Sequence, residues 1–152
     1  RSARSSADGR IMSYAAVADL VARFGEATIT GLTDLSRKGA VDEAIARQAL
    51  DDAAAEIDGY LMNRYTLPLP KPLRILTVYC CDIAVYRLCT GKRQLTEDIV
   101  HRYEAAVKFL QLVAAGKVGL GVTEPAGEKP AVQGNGVMFT TQEKVFGRDS
   151  VY

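Results

Sequence analysis

Tryptophan is absent from this chain, histidine occurs once and cysteine three times. A single histidine removes multi-histidine metal centres and most nucleophile–base triads, which need an imidazole beside a nucleophile or several nitrogen ligands together. The cysteines, Cys80, Cys81 and Cys89, are odd in number and lack metal-type pairing, which fits a reducing compartment better than a disulfide scaffold. No run of about 18 apolar residues exists to span a bilayer. A charge excess is missing too, with 19 Lys and Arg against 18 Asp and Glu. A protein whose main work is gripping phosphate backbones usually shows a basic surplus, so nucleic acid is a weak partner class. The first eleven residues, RSARSSADGRI, are small, polar and basic with no apolar stretch. They are no signal peptide and read as an expression remnant or a flexible arm ahead of Met12.

What remains is 152 residues with 48% hydrophobic and 24% charged content, one domain with room for a tail. Helical periodicity dominates. Val17, Leu20, Val21 and Phe24 share one face of a helix beginning at Tyr14 and stopped by Gly25. A short helix over 26–34 carries Ile29 and Leu32, and Ser36 to Gly39 is a turn. Asp42 is an N-cap, with Glu43 favourable at the positive end of the helix it opens. Ile45, Ala49, Ala53, Ile57, Tyr60, Leu61 and Arg64 follow at helical spacing, and Gly59 inside this run points to a tight helix crossing. The prolines of Thr66–Pro72 hold that stretch extended, and Pro72 suits the first position of the next helix.

The helix over 72–89 is apolar almost all round, so it belongs in the middle of the molecule. Thr96 caps the last helix, where Ile99, Tyr103, Ala106, Leu110 and Val113 form one seam and Gly116 closes it. These signals predict an all-α fold of four to five helices, with a helical domain over 12–116. Residues 116–152 hold 7 of the 13 glycines, and 117–152 reads as an extended arm. There Asn135-Gly136 is a hairpin-type turn and 137–141 has strand potential.

Few motifs carry chemistry. Adjacent cysteines on a helix point about 100° apart, so Cys80 and Cys81 read as small buried hydrophobes rather than metal ligands. His101 has no Cys, Asp or second His four residues away and reads as a surface histidine. Asp34 to Gly39 echoes a calcium loop, but Lys38 and Ile45 occupy positions that need oxygen ligands, leaving a plain turn. Asp82, placed among Tyr79, Ile83 and Tyr86, is the one charge singled out. A buried carboxylate needs a partner, and Arg64 and Arg102 on the flanking helices are the candidates for a structural ion pair. An acid catalyst at Asp82 would need a second positioned group and a pocket. Catalytic, cofactor and metal sites are all expected to be absent. On the arm, Val137, Met138, Phe139, Val145 and Phe146 are candidate partner-binding residues, since exposed apolar groups on a loose arm await a surface. A tail without a role is the plain alternative.

Four stretches together carry a family resemblance: Ser13-Tyr14-Ala15 through Asp19 to Gly25; Ala55 to Leu61 with Arg64-Tyr65-Thr66-Leu67-Pro68-Leu69; Cys81 to Leu88; and Arg102 to Ala106 running to Ala115–Gly121. In order and spacing they resemble the Mu-like prophage structural protein family, over about residues 12–121. The resemblance implies a helical protein similar to the small head–tail connectors, or adaptors, of tailed phages, and no catalytic residues. It implies a homo-oligomeric ring of about twelve copies in the virion neck, docked on the portal protein and offering the tail or a tail-completion protein a surface. Duplex DNA would be non-specific cargo in the channel, no membrane would be involved, and the bacterial cytoplasm would be the site of assembly. A small monomeric helical binding module and a weak nucleic-acid-binding phage protein are the alternatives.

Overall fold

A computed structural model describes residues 13–90 and 94–122. It contains five helices: α1 (Val17–Phe24), α2 (Glu26–Thr33), α3 (Glu43–Leu61), α4 (Arg74–Cys89) and α5 (Glu97–Ala114). No strand occurs among the described residues, so the fold is all-α as the periodicity predicts.

The helix stops follow local chemistry. Gly25 adopts φ 87°, a conformation that disfavours any side chain, and it serves both as the C-cap of α1 and the N-cap of α2. Asp42 caps α3 by accepting the backbone N–H of Ala44 at 3.0 Å and of Ile45 at 3.2 Å. Before it, the Asp34 carboxylate accepts the Lys38 and Gly39 N–H groups at 2.9 and 2.6 Å. The calcium-like echo is thus a turn whose acid is occupied by its own backbone, and these bonds hold the Asp34 carboxyl below its ordinary pKa.

Two starts differ from the periodicity. α1 begins at Val17, not Tyr14. The Tyr14 carbonyl accepts the Thr77 hydroxyl at 2.8 Å, and the Tyr14 hydroxyl donates to Asp58, so tertiary bonds hold Ser13–Ala16 out of the helix. α4 begins at Arg74, not Pro72, because Leu73 is an extended N-cap (φ −107°, ψ 120°) whose carbonyl accepts the first helical N–H groups. The tight crossing expected at Gly59 is also absent, since a Cβ placed there would meet nothing within 4 Å. Close approach comes instead from Ala46, Ala49, Ala53 and Ala54, all buried on α3.

α4 is the central element. It packs against α1, α2, α3 and α5, and Leu76, Cys80, Cys81, Ile83, Ala84, Val85, Leu88 and Cys89 are buried along it. Tyr79 meets Phe109 at 5.0 Å between ring centroids and Tyr86 stacks on Tyr103 at 4.0 Å. Ascending α4 therefore means descending α5, an antiparallel pair. α5 ends in a Schellman motif: Gly116, at φ 78°, donates to the Val113 carbonyl at 3.1 Å, and Lys117 donates to that of Leu112 at 2.9 Å. Composition assigns residues 117–122 to the arm, yet Val118, Leu120 and Val122 pack against the core. The helical body thus continues past 116.

Candidate functional site

Asp82 lies on the most buried helix and is only 5% exposed. The partner that reaches it is Arg23, in the last turn of α1, with Nη2 at 3.2 Å from Oδ1. This corrects the expected pairing with Arg64 and Arg102. Arg64 is committed elsewhere: its Nη1 donates to the Val113 carbonyl at 2.6 Å and lies 3.4 Å from that of Val118. Arg102 binds Asp98 at 2.8 Å, one turn away on its own helix, and acts on Asp82 only at longer range. Desolvation by burial raises the Asp82 carboxyl above its ordinary pKa, and the opposing pull of Arg23 and Arg102 does not cancel it. Arg23 retains 30% exposure of its side chain, so the pair ties α1 to α4 at the edge of the core. The sequence signal for Arg23 was weak: it stands three residues after the buried Leu20, a placement no different from that of many surface arginines.

A second polar cluster joins α3, α4 and α5. Glu56 accepts Arg87 at 2.6 Å and the Tyr103 hydroxyl at 3.1 Å, beneath the Tyr86–Tyr103 stack. Burial, then the Glu56 charge, pushes the Tyr103 phenol up. No buried side-chain polar atom among the described residues is left without a hydrogen bond, and both Glu56 oxygens are used to join α3 to α4 and α5, which is the chemistry of a clamp between helices.

The end where α3 and α5 finish is fastened in the same way. Arg64 adds a charged donor to the Val113 carbonyl, which also accepts the Gly116 N–H, at the negative end of the α5 dipole. The Leu120 N–H donates to the Tyr65 hydroxyl at 3.1 Å, which lays residues 117–122 along the corner.

The cysteines are free thiols and buried, as expected of small hydrophobes. His101 is an exposed helix residue 3.8 Å from Glu104. Among the described residues no group of three or more His, Cys, Asp or Glu side chains could hold a metal, and no helix is long and apolar enough to cross a membrane. The arm candidates Val137, Met138, Phe139, Val145 and Phe146 lie outside the described residues. Large apolar side chains that the body does expose are Leu35 at 70%, Met62 at 65%, Leu95 at 42% and Ile75 at 41%.

The arrangement thus consists of interhelical clamps and outward-facing apolar groups. A family profile described as "Bacteriophage Mu, Gp36" matches residues 14–139, which includes every described helix. The chain belongs to this family. Within the Mu Gp36 family it is similar to "Gene product J" of Escherichia phage Mu, with 38% identity over 142 residues that cover 89% of this chain and 99% of that protein. It is also similar to "Mu-like prophage FluMu protein gp36" of Haemophilus influenzae, at 33% identity over 137 residues, covering 90% of this chain and 94% of the relative. The resemblance read from the sequence is therefore shown. Its expected limit near residue 121 is too short, because the family match runs on to 139 and takes in the first part of the arm.

Proposed function

We propose that this Mu Gp36 family member is a structural protein of the virion neck, a head–tail connector that assembles as a ring on the portal and receives the tail. Similarity to a phage Mu gene product over nearly the whole of both chains is the observation that carries the reading. The architecture supports it. A ring subunit must hold one shape while its outside meets several neighbours, and here α4 packs on all four other helices while ion pairs and capping bonds fix the edges. Leu35 and Met62, each more than half exposed, offer apolar contact area. Scattered exposed apolar residues are ordinary on a monomer, so they support the reading without carrying it.

The test is a phage or prophage in which this gene alone is inactivated. Lysates should contain heads and tails that fail to join, and supplying the protein in trans should restore whole particles that contain it by mass spectrometry. Joined, infectious particles formed without the protein would overturn the reading.

A further inference from the structure

Helix α1 divides two flanks of opposite charge. On one side an open cleft of about 610 Å3 runs between the Ser13–Asp19 segment and the first half of α3. Asp19, Glu43 and Asp51 line it, together with the apolar side chains of Val17 and Ala18. Arg47 lies 3.9 Å from Glu43 with both side chains largely in water, a weak pairing. Asp51 has no ion pair among the described residues. Beside it, also against α1, a smaller cleft of about 380 Å3 is lined by Arg23, which is paired with Asp82, by Pro72 and Arg74 near the start of α4, and by Asp19, which borders both clefts and accepts the Ala16 N–H at 2.9 Å. Lys71 and Arg74 are exposed and likewise without an ion pair among the described residues. No Asp or Glu occurs between Asp58 and Asp82, and Asp19 is the one carboxylate that lines this cleft. The positive end of the α4 dipole adds to the same sign. Beside them Ile75 is 41% exposed.

We propose that these two flanks are complementary faces of one contact between copies of this chain: the Lys71–Arg74–Ile75 corner of one copy seats in the Glu43–Asp51 cleft of the next. This rests on the ring reading above and names the surfaces that would build it. Charge complementarity selects a second copy as the occupant. A two-fold contact centred on either flank sets like charge against like, whereas a repeated head-to-tail contact sets base against acid at every interface, which is the symmetry that closes rings. The match extends to polarity. Ile75 would meet the apolar side chains of Val17 and Ala18 that line the cleft, while the charges around it fix register and speed encounter more than they add affinity. A phosphate backbone would use the cations and leave both Ile75 and the acidic cleft without a role.

Sedimentation velocity on the full chain, from micromolar to millimolar concentration at low and moderate salt, tests the contact. Wild type should form faster-sedimenting species that salt weakens. The pair Lys71→Glu with Arg74→Glu should abolish them, and so should the pair Glu43→Lys with Asp51→Lys. Mixing the two reversed variants should restore association, because each retains one native face and the two reversed faces suit each other. Circular dichroism on each variant establishes that the helices persist, and the neutral pair Lys71→Gln with Arg74→Gln should give an intermediate loss in case a reversal prevents folding. A chain that stays monomeric at millimolar concentration and low salt overturns the proposal. So does association indifferent to both reversals, or salt-sensitive binding of duplex DNA through Lys71 and Arg74 in place of self-association. Failure here leaves the virion assay standing, and a chain that self-associates by these faces but is dispensable for joining heads to tails would overturn the connector reading alone.

Discussion

Arg23 approaches Asp82 from 59 residues away along the chain, and that distance explains what could and could not be read in advance. The company of Tyr79, Ile83 and Tyr86 marked Asp82 as buried, and it is 5% exposed. Nothing local distinguishes which arginine will arrive, because the answer depends on how α1 lies across α4. The raised carboxyl has a consequence for stability. In the unfolded chain Asp82 titrates in the ordinary carboxylate range; in the folded protein burial moves it higher. Its contribution is therefore fully present below the ordinary range and is lost as pH rises through the raised value. At neutral pH Asp82→Asn should leave the melting temperature unchanged or raise it, and wild type should lose ground to that variant as pH climbs out of the acid range. A markedly lower melting temperature for the asparagine variant at neutral pH would contradict this. Asp82→Ala should cost about 1–2 kcal/mol, less than breaking a fully dehydrated pair, because Arg23 can return to water.

The cysteines follow the same logic of burial. Desolvation pushes the Cys80 and Cys81 thiols up to about 12, far from the thiolate that reacts. A thiol reagent at mildly alkaline pH should label the native protein slowly, at the rate of its opening, and should label all three cysteines at once in urea. Rapid labelling of native protein would mean that the α3–α4 contact is looser than its buried alanines indicate.

At the scale of elements, capping chemistry was the most legible part of the fold. Asp42, Thr96, Gly25 and Gly116 each stand where their side chain or lack of one places them. The helix starts differ for two reasons: long-range bonds from Thr77 and to Asp58 draw Tyr14 out of α1, and Leu73 is the extended N-cap of α4 where Pro72 reads as its first helical residue. Gly59 misled because a glycine in a helix signals close approach only when a neighbour is there. The capping of α5 by Arg64 was invisible for the opposite reason, since the side chain reads equally well as an ion-pair partner. Arg64→Ala should destabilise the protein by about 1.5–3 kcal/mol, as loss of a charge-assisted bond to a helix terminus would. It should also speed hydrogen exchange at the Leu120 amide, which the same corner holds. Unchanged exchange at Leu120 would show that residues 117–122 are seated by their apolar contacts alone.

For the molecule as a whole, one buried cluster draws side chains from all five helices, from Leu20 on α1 and Ile29 on α2 to Val113 on α5. A single shared core predicts a single cooperative transition: far-ultraviolet circular dichroism and tyrosine fluorescence should melt together. An early loss of one signal would mean that α1 and α2 come away first. Family membership was legible because four separated stretches keep their order. The surfaces through which copies and partners meet were not, since contact between molecules depends on which charges end up side by side on the outside. The acidic and basic flanks of α1 draw on residues from 13 to 78 and exist only once the helices are packed.

Gly25 finishes one helix and begins another with no residue to spare. Adding or removing a single residue at that joint would turn α2 by about 100° relative to α1, carrying either Leu20 or Ile29 away from the interior. Length variation among related chains should therefore fall in the Asp34–Asp42 turn or the proline stretch before α4, and the α1–α2 joint should keep one fixed length wherever this architecture is retained.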